Sequence, residues 1–187
     1  MKKPLLIVIT GRPASGKTTL AHLLSIQIKF PLVSRDELKE GYVNTTGVDH
    51  GQLDPSIDWQ IYGTFFKTIE LLLTDGVSII VEAAFQHKLW QPKLSQYLNK
   101  ADLRIVICET SPEIAKVRFN NRLLDHPERK IFHGDSSLTS AGDKNATLIE
   151  HYENVRVDAP TLVVNTTERY DPGIGDIIEF IKIGKSK

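Results

Sequence analysis

Eight residues near the N-terminus, Gly11-Arg12-Pro13-Ala14-Ser15-Gly16-Lys17-Thr18, restrict what this chain can become more than any other feature. They fit G-x-x-x-x-G-K-[ST] at every fixed position. Their context agrees with the pattern. The apolar run Leu5 to Thr10 that enters is too short for a helix and reads as a buried parallel strand. The stretch from Lys17 to about Ile28 that leaves puts Leu20, Leu23, Leu24 and Ile28 on one helical face. Glycines let such a loop curl so that successive N–H groups point inward at an anion. The helix N-terminus adds roughly half a positive charge there. Gly11, Pro13, Ala14, Ser15, Gly16, Lys17, Thr18 and Thr19 are therefore expected to hold nucleotide phosphates. Lys17 should reach the β and γ phosphates, and the Thr18 hydroxyl should ligate Mg²⁺.

The remaining chain alternates short apolar runs with amphipathic stretches. Further strands are expected at Pro31–Ser34, Val77–Val81, Leu103–Cys108 and Thr161–Val164. A helical turn is expected over Asp36–Lys39, ending at Gly41. A long helix capped by Ser56 should follow and stop at Asp75-Gly76. A helix carrying Leu89, Leu94 and Leu98 should bend or start late at Pro92. Ser111-Pro112-Glu113 opens another, to about Leu124. Two more should run from Lys144 to Val155 and from Ile174 to about Ile183, the last capped by Asp171-Pro172. The polar stretch 41–55 reads as a substrate-side loop and 126–143 as a lid. This alternation argues for one domain over residues 1–187, an α/β fold of three α/β/α layers around a five-stranded parallel sheet.

Charge and composition narrow the function classes. Lys and Arg number 23 against 23 Asp and Glu, so a long nucleic-acid footprint is disfavoured, though one terminal nucleotide could still be held. With 41% hydrophobic and 25% charged residues, disorder and disulfide scaffolds are excluded. Cys108 has no partner cysteine, which fits a reducing, cytoplasmic setting. No apolar run approaches a membrane span. Met1-Lys2-Lys3 and the following apolar run imitate a secretion signal, but the phosphate motif occupies the supposed cleavage region. His126, His133 and His151 lack metal-ligand spacing with a cysteine, so zinc is not expected.

Chemistry in parallel sheets gathers outside the carboxyl ends of the strands. Ser34-Arg35-Asp36-Glu37 stands there after the second strand. From position alone, Asp36 suits a general base and a helix cap equally well. Glu82 ends the third strand, where a carboxylate can hold a Mg²⁺-bound water or simply face solvent. Phe85, Gln86 and His87 follow as candidate lining of a substrate cleft. Arg118 and Arg122 share one helical face, and Arg129 follows in the polar segment.

The phosphate loop together with Ser34-Arg35-Asp36-Glu37-Leu38-Lys39 resembles P-loop kinases of the polynucleotide-kinase, zeta-toxin and chloramphenicol-phosphotransferase group, over Leu5 to about Asn165. The resemblance implies a strand order 2-3-1-4-5, Asp36 as catalytic base and Arg35 as a substrate or phosphate contact. Adenylate-kinase-like enzymes carry a similar arginine pair before the lid. That likeness implies Arg118 on the adenine and Arg122 on the transferred phosphate, roles a planar, forked guanidinium suits. The expectation is an ATP- and Mg²⁺-dependent kinase acting on a small-molecule hydroxyl. The alternatives are a polynucleotide 5′-hydroxyl or tRNA-linked kinase, or a nucleotide switch with no acceptor. Cys108-Glu109-Thr110-Ser111 stands where a GTPase would carry its base-reading Asn-Lys-x-Asp. Neither the acceptor nor the oligomeric state is readable from these residues.

Overall fold

The computed structural model describes residues 3–135, 138 and 144–182. Its strands are β1 (Leu5–Thr10), β2 (Leu32–Ser34), β3 (Ile79–Glu82), β4 (Asp102–Glu109) and β5 (Thr161–Asn165). They form one parallel sheet in the order β2-β3-β1-β4-β5. The helices are α1 (Lys17–Ile28), α2 (Arg35–Thr46), α3 (Ser56–Thr74), α4 (His87–Leu94), α5 (Pro112–Asp125), α6 (Arg129–His133), α7 (Lys144–Glu150) and α8 (Ile174–Lys182).

The central strand β1 is buried along its whole length, as a parallel strand covered on both faces must be. Its alternate residues feed two cores. Leu6 and Val8 join Phe65, Ile69 and Trp90 from α3 and α4. Ile7 and Ile9 join Leu20, Leu24 and Ile177 from α1 and α8. Fully burying a side chain of this size contributes about 1.5–3 kcal/mol, so the pattern of β1 alone commits the sheet to a three-layer arrangement. Register then aligns the carboxyl ends. Ile9 and Ser34 both pair with Glu82, and Glu109 pairs with Asn165. The loops that leave those tips open on one edge, and the chemistry sits there.

Several boundaries differ from expectation, each for a local reason. Helix α2 does not stop at Gly41. It runs to Thr46, because Val43 is buried beneath it and a helical glycine costs only about 1 kcal/mol. It ends instead at Gly47, in left-handed backbone, whose N–H donates to Val43 O at 2.9 Å. Part of the expected 41–55 loop is thus helical, and a 3₁₀ turn occupies His50–Gln52. Ser56 is the first residue of α3 rather than its cap, and its N–H donates to Asp54 Oδ1 at 2.8 Å. Pro92 lies inside α4, and Leu98 falls in the turns that follow, off the helix. The helix expected to reach Val155 stops at Glu150, leaving Tyr152 and Val155 on irregular chain that packs inward. Asp171 does not cap α8. Its backbone pairs with Asn165, and Asp176 Oδ2 accepts the Gly173 N–H instead.

Ser111 does cap α5, accepting the Ile114 N–H at 3.3 Å. Within the expected lid 126–143, Arg129–His133 forms α6. Residues 136–137 and 139–143 of that segment, and Ile183 at the expected end of the last helix, lie outside the described residues.

Candidate active site

The phosphate loop owes its shape to backbone that only particular residues tolerate. Gly11 has φ 148°, and a Cβ there would overlap the Cys108 carbonyl oxygen of β4. Gly16 has φ 83° just before α1. Ala14 holds φ 60° without glycine's freedom, a strain of about 1–2 kcal/mol that the surrounding packing must impose. The loop is also tied from outside. Thr166, beyond β5, donates its hydroxyl hydrogen between Ser15 O at 2.6 Å and Glu109 O at 3.0 Å. Arg12 NH1 donates to Ile149 O of α7 at 2.8 Å. Ser15 Oγ is buried with no partner.

Lys17 is buried and lies 3.5 Å from Glu82 Oε1, an ion pair without hydrogen-bond geometry. Ser34 Oγ donates to the other oxygen, Oε2, at 2.8 Å. Burial pushes the Glu82 carboxyl up against the opposing pull of Lys17. That leaves one buried carboxylate oxygen with acceptor capacity to spare, beside Lys17, whose next residue is the half-buried Thr18. Oxygen donors of this kind, few from the protein and the rest from phosphate and water, suit Mg²⁺. Among the described residues no three His, Cys, Asp or Glu side chains cluster as a protein-only metal site.

Asp36 is the second residue of α2 and feels the charge of Lys17. Burial opposes its charge, but Lys17, Arg35 and His133 outweigh that and hold its carboxyl at about 2. Arg35 NH1 donates to its Oδ1 at 3.1 Å. Lys17, Asp36, Arg35, Phe85 and Arg122 line one cavity of about 400 Å³, together with Pro13 and Ala14 of the loop. Its roof comes from α6 and the chain just after it, through Arg129, His133 and Asp135. His133 of α6 lies 2.7 Å from Glu40 of α2, and a Cβ on Gly134 would sit 2.5 Å from His50 Nδ1 in the 3₁₀ turn.

The arginine pair divides. Arg122 faces the cavity, over the Phe119 ring, with its Nε buried and unpartnered. Arg118 turns the other way, donating to the Thr166 and Thr167 carbonyls at 2.7 Å and 2.6 Å. There it lines a second cleft with Gly16, Thr19 and Tyr170. Glu82 and Thr18 do not line the main cavity. Glu82 lies beneath it, within bonding reach of Lys17.

Sequence reasoning passed over Lys39, Asp58, Thr166 and Tyr152. Lys39 is buried in the cavity wall and paired with Asp58 of α3 at 2.6 Å. Its signal was its place three residues after Asp36, on the same helical face. Thr166 follows a strand end, where such residues deserve weight. Tyr152 carried no local signal. Its hydroxyl donates to Phe85 O at 2.9 Å, and Thr10 Oγ1 accepts from Trp90 Nε1 at 3.0 Å and donates to Ala83 O at 2.9 Å. Those bonds fix residues 83–85 at the mouth of β3.

A parallel sheet in the order 2-3-1-4-5, with a glycine-framed phosphate loop between its first strand and first helix, defines a P-loop domain of kinase-like architecture. The chain belongs to the AAA domain family, whose profile matches residues 6–134. Solved structures of the same fold include a candidate kinase from Chloroflexus aurantiacus, with 21% identity, a TM-score of 0.79 and coverage of 99% of this chain and 97% of that one. A gluconokinase from Sinorhizobium meliloti aligns at 14% identity and TM-score 0.57 over 98% and 93% of the two chains. The APS kinase of Mycobacterium tuberculosis, solved with AMPPNP and APS, aligns at 15% identity and TM-score 0.60 over 97% and 99%. A search of curated proteins gives no match to the chain. Among the described residues no helix is long and apolar enough to cross a membrane.

Proposed function

We propose that the protein is an ATP- and Mg²⁺-dependent kinase that transfers the γ-phosphate to a hydroxyl of a small molecule. The reading is carried by one juxtaposition: Lys17 and an ionised Asp36 line the same roofed cavity. The P-loop and Lys17 hold the phosphates. Thr18 and, through water, Glu82 would hold Mg²⁺, which supplies charge neutralisation on the phosphates when bound. Arg118 and the cleft beside Thr19 take the base, and Arg122 takes the transferred group. Residues 126–143 act as the lid that excludes water.

In the transfer, Asp36 accepts the proton of the acceptor hydroxyl. The acceptor oxygen forms a bond to the γ phosphorus as the bond to the β,γ-bridging oxygen breaks, and ADP leaves. A carboxylate held near 2 is a weak base, but a γ-phosphate arriving at Lys17 removes much of the positive field acting on it. Substrate binding therefore raises the basicity of Asp36 when it is needed.

Asp36→Asn tests the assignment. ATP affinity, read by calorimetry, should stay at the parent level, because Lys17 and the loop amides hold the phosphates. Transfer to the acceptor, found by a hydroxyl-compound screen with radiolabelled ATP, should fall by about 10²–10⁴-fold. Transfer at the parent rate removes Asp36 from the mechanism. ATP hydrolysis that no hydroxyl compound alters, with no labelled product, makes the protein an ATPase rather than a kinase.

A further inference from the structure

The cavity holds more positive charge than the phosphates of a nucleotide engage. Lys17, Arg35, Lys39, Lys88, Arg122 and Arg129 line it, against the carboxylates Asp36 and Asp135. Lys17 belongs to the phosphate loop and Arg122 to the transferred group. Arg129 is already matched by Asp135, at 2.9 Å. Arg35 and Lys39, on the wall formed by α2, and Lys88 of α4 remain, with Arg35 NH1 also donating to Asp36 Oδ1 at 3.1 Å.

Arg35 and Lys39 converge on one oxygen of α3. Arg35 NH2 and Lys39 Nζ lie 3.0 Å and 2.6 Å from Asp58 Oδ1. The Asp58 side chain is 50% exposed, whereas that of Lys39 is 5% exposed. One half-solvated carboxylate shared between two cations leaves the buried ammonium undercompensated. Burial accordingly lowers the Lys39 pKa, despite its bond to Asp58. Arg35 adds a second, independent sign: its Nε is buried and has no hydrogen-bond partner. Buried donors of this kind call for an acceptor, and a charged acceptor gives the strongest bonds.

Position supplies the rest. Asp36 and Lys39 stand three apart on α2, which sets their Cβ atoms about 5–6 Å apart. A molecule seated by an anionic group between Arg35 and Lys39 brings a hydroxyl a few bonds away to Asp36. The cover given by Arg129, His133 and Asp135, and a volume of about 400 Å³ shared with the transferred phosphate, keep that molecule small.

We propose that the acceptor is a small hydroxylated anion, its carboxylate or phosphate group held by Arg35 and Lys39 and its hydroxyl presented to Asp36. The hydroxyl half of this statement rests on the kinase reading above. The anion subsite can be tested without any turnover.

The test uses the full chain with the phosphate loop saturated by Mg²⁺ and AMPPNP. Calorimetry then titrates inorganic phosphate in one arm and acetate in the other, at constant ionic strength. One of the two should bind, phosphate if the acceptor is phosphorylated and acetate if it is a carboxylic acid. Lys39→Met and Arg35→Gln should each weaken that binding by about 10-fold or more. AMPPNP binding and melting temperature, read on the same samples, separate loss of the subsite from loss of the fold. If neither anion binds while AMPPNP does, or if both variants bind the anion as the parent does, the subsite is overturned and the kinase reading stands. If AMPPNP itself does not bind, the kinase reading falls and the acceptor falls with it. A 5′-hydroxyl oligonucleotide that binds where both small anions are ignored also overturns the proposal.

Discussion

Asp36 stays ionised to about pH 2 only because Lys17, Arg35 and His133 face it, since burial alone would push its carboxyl up. Its folded value lies below the ordinary 3.8, so the unfolded chain binds the proton more readily. The stability it contributes is complete above that ordinary value and is lost as pH falls through about 2. Comparing acid unfolding of the parent and Asp36→Asn should show the parent's advantage shrinking over this window. An advantage unchanged across it would mean that the cations do not act on Asp36. Gly11 is governed by space rather than charge. Gly11→Ala needs both left-sided backbone and the volume of the Cys108 carbonyl, so it should cost about 1–3 kcal/mol in thermal unfolding and weaken ATP binding. A melting temperature equal to the parent's would show that the loop relaxes freely. Gly11 and Lys17 were legible through motif spacing, and Asp36 only through the family resemblance. Lys39 and Asp58 were not, since their importance arises from a contact between two helices.

Secondary-structure elements were read well where a long apolar period ran and poorly where one glycine was taken as a stop. Gly41 sits on an exposed face of α2, so nothing in the packing requires the helix to break there. Glu40 of α2 meets His133, and the chain beyond the extra turns carries His50 to Gly134. These pairings join two insertions that are distant in sequence. Burial lowers the His50 pKa, and Lys39, His133 and Arg35 act in the same direction, while Asp58 opposes them. The folded protein thus resists a proton that the unfolded chain takes up near 6.5, so this contact is strongest above that pH and weakens on acidification. Amide exchange in residues 129–134 should be faster at about pH 5.5 than at pH 7.5 after correction for intrinsic rates, and His50→Gln should flatten the difference. An equal pH response in the variant would place the titration elsewhere.

Across the whole molecule, the sheet order and the edge that carries the site followed from the alternation of runs and the family resemblance. What escaped was the set of long-range ties that stiffen that edge. Thr166 illustrates them: it stands 151 residues from Ser15 and holds its carbonyl. Thr166→Val keeps the shape but strands that carbonyl, so ATP should bind less tightly by about 1–3 kcal/mol, with a smaller loss of melting temperature. Parent affinity in calorimetry would show that the tie is dispensable. The division of labour in the site has an evolutionary side. On the proposed function, the grip on the triphosphate lies in residues 11–19 and the turn after β5, whereas the wall facing the acceptor is drawn from α2, residues 84–89 and α6. On that reading, drift in the second set would retarget the protein to a differently shaped or differently charged partner while the first set is inherited unaltered.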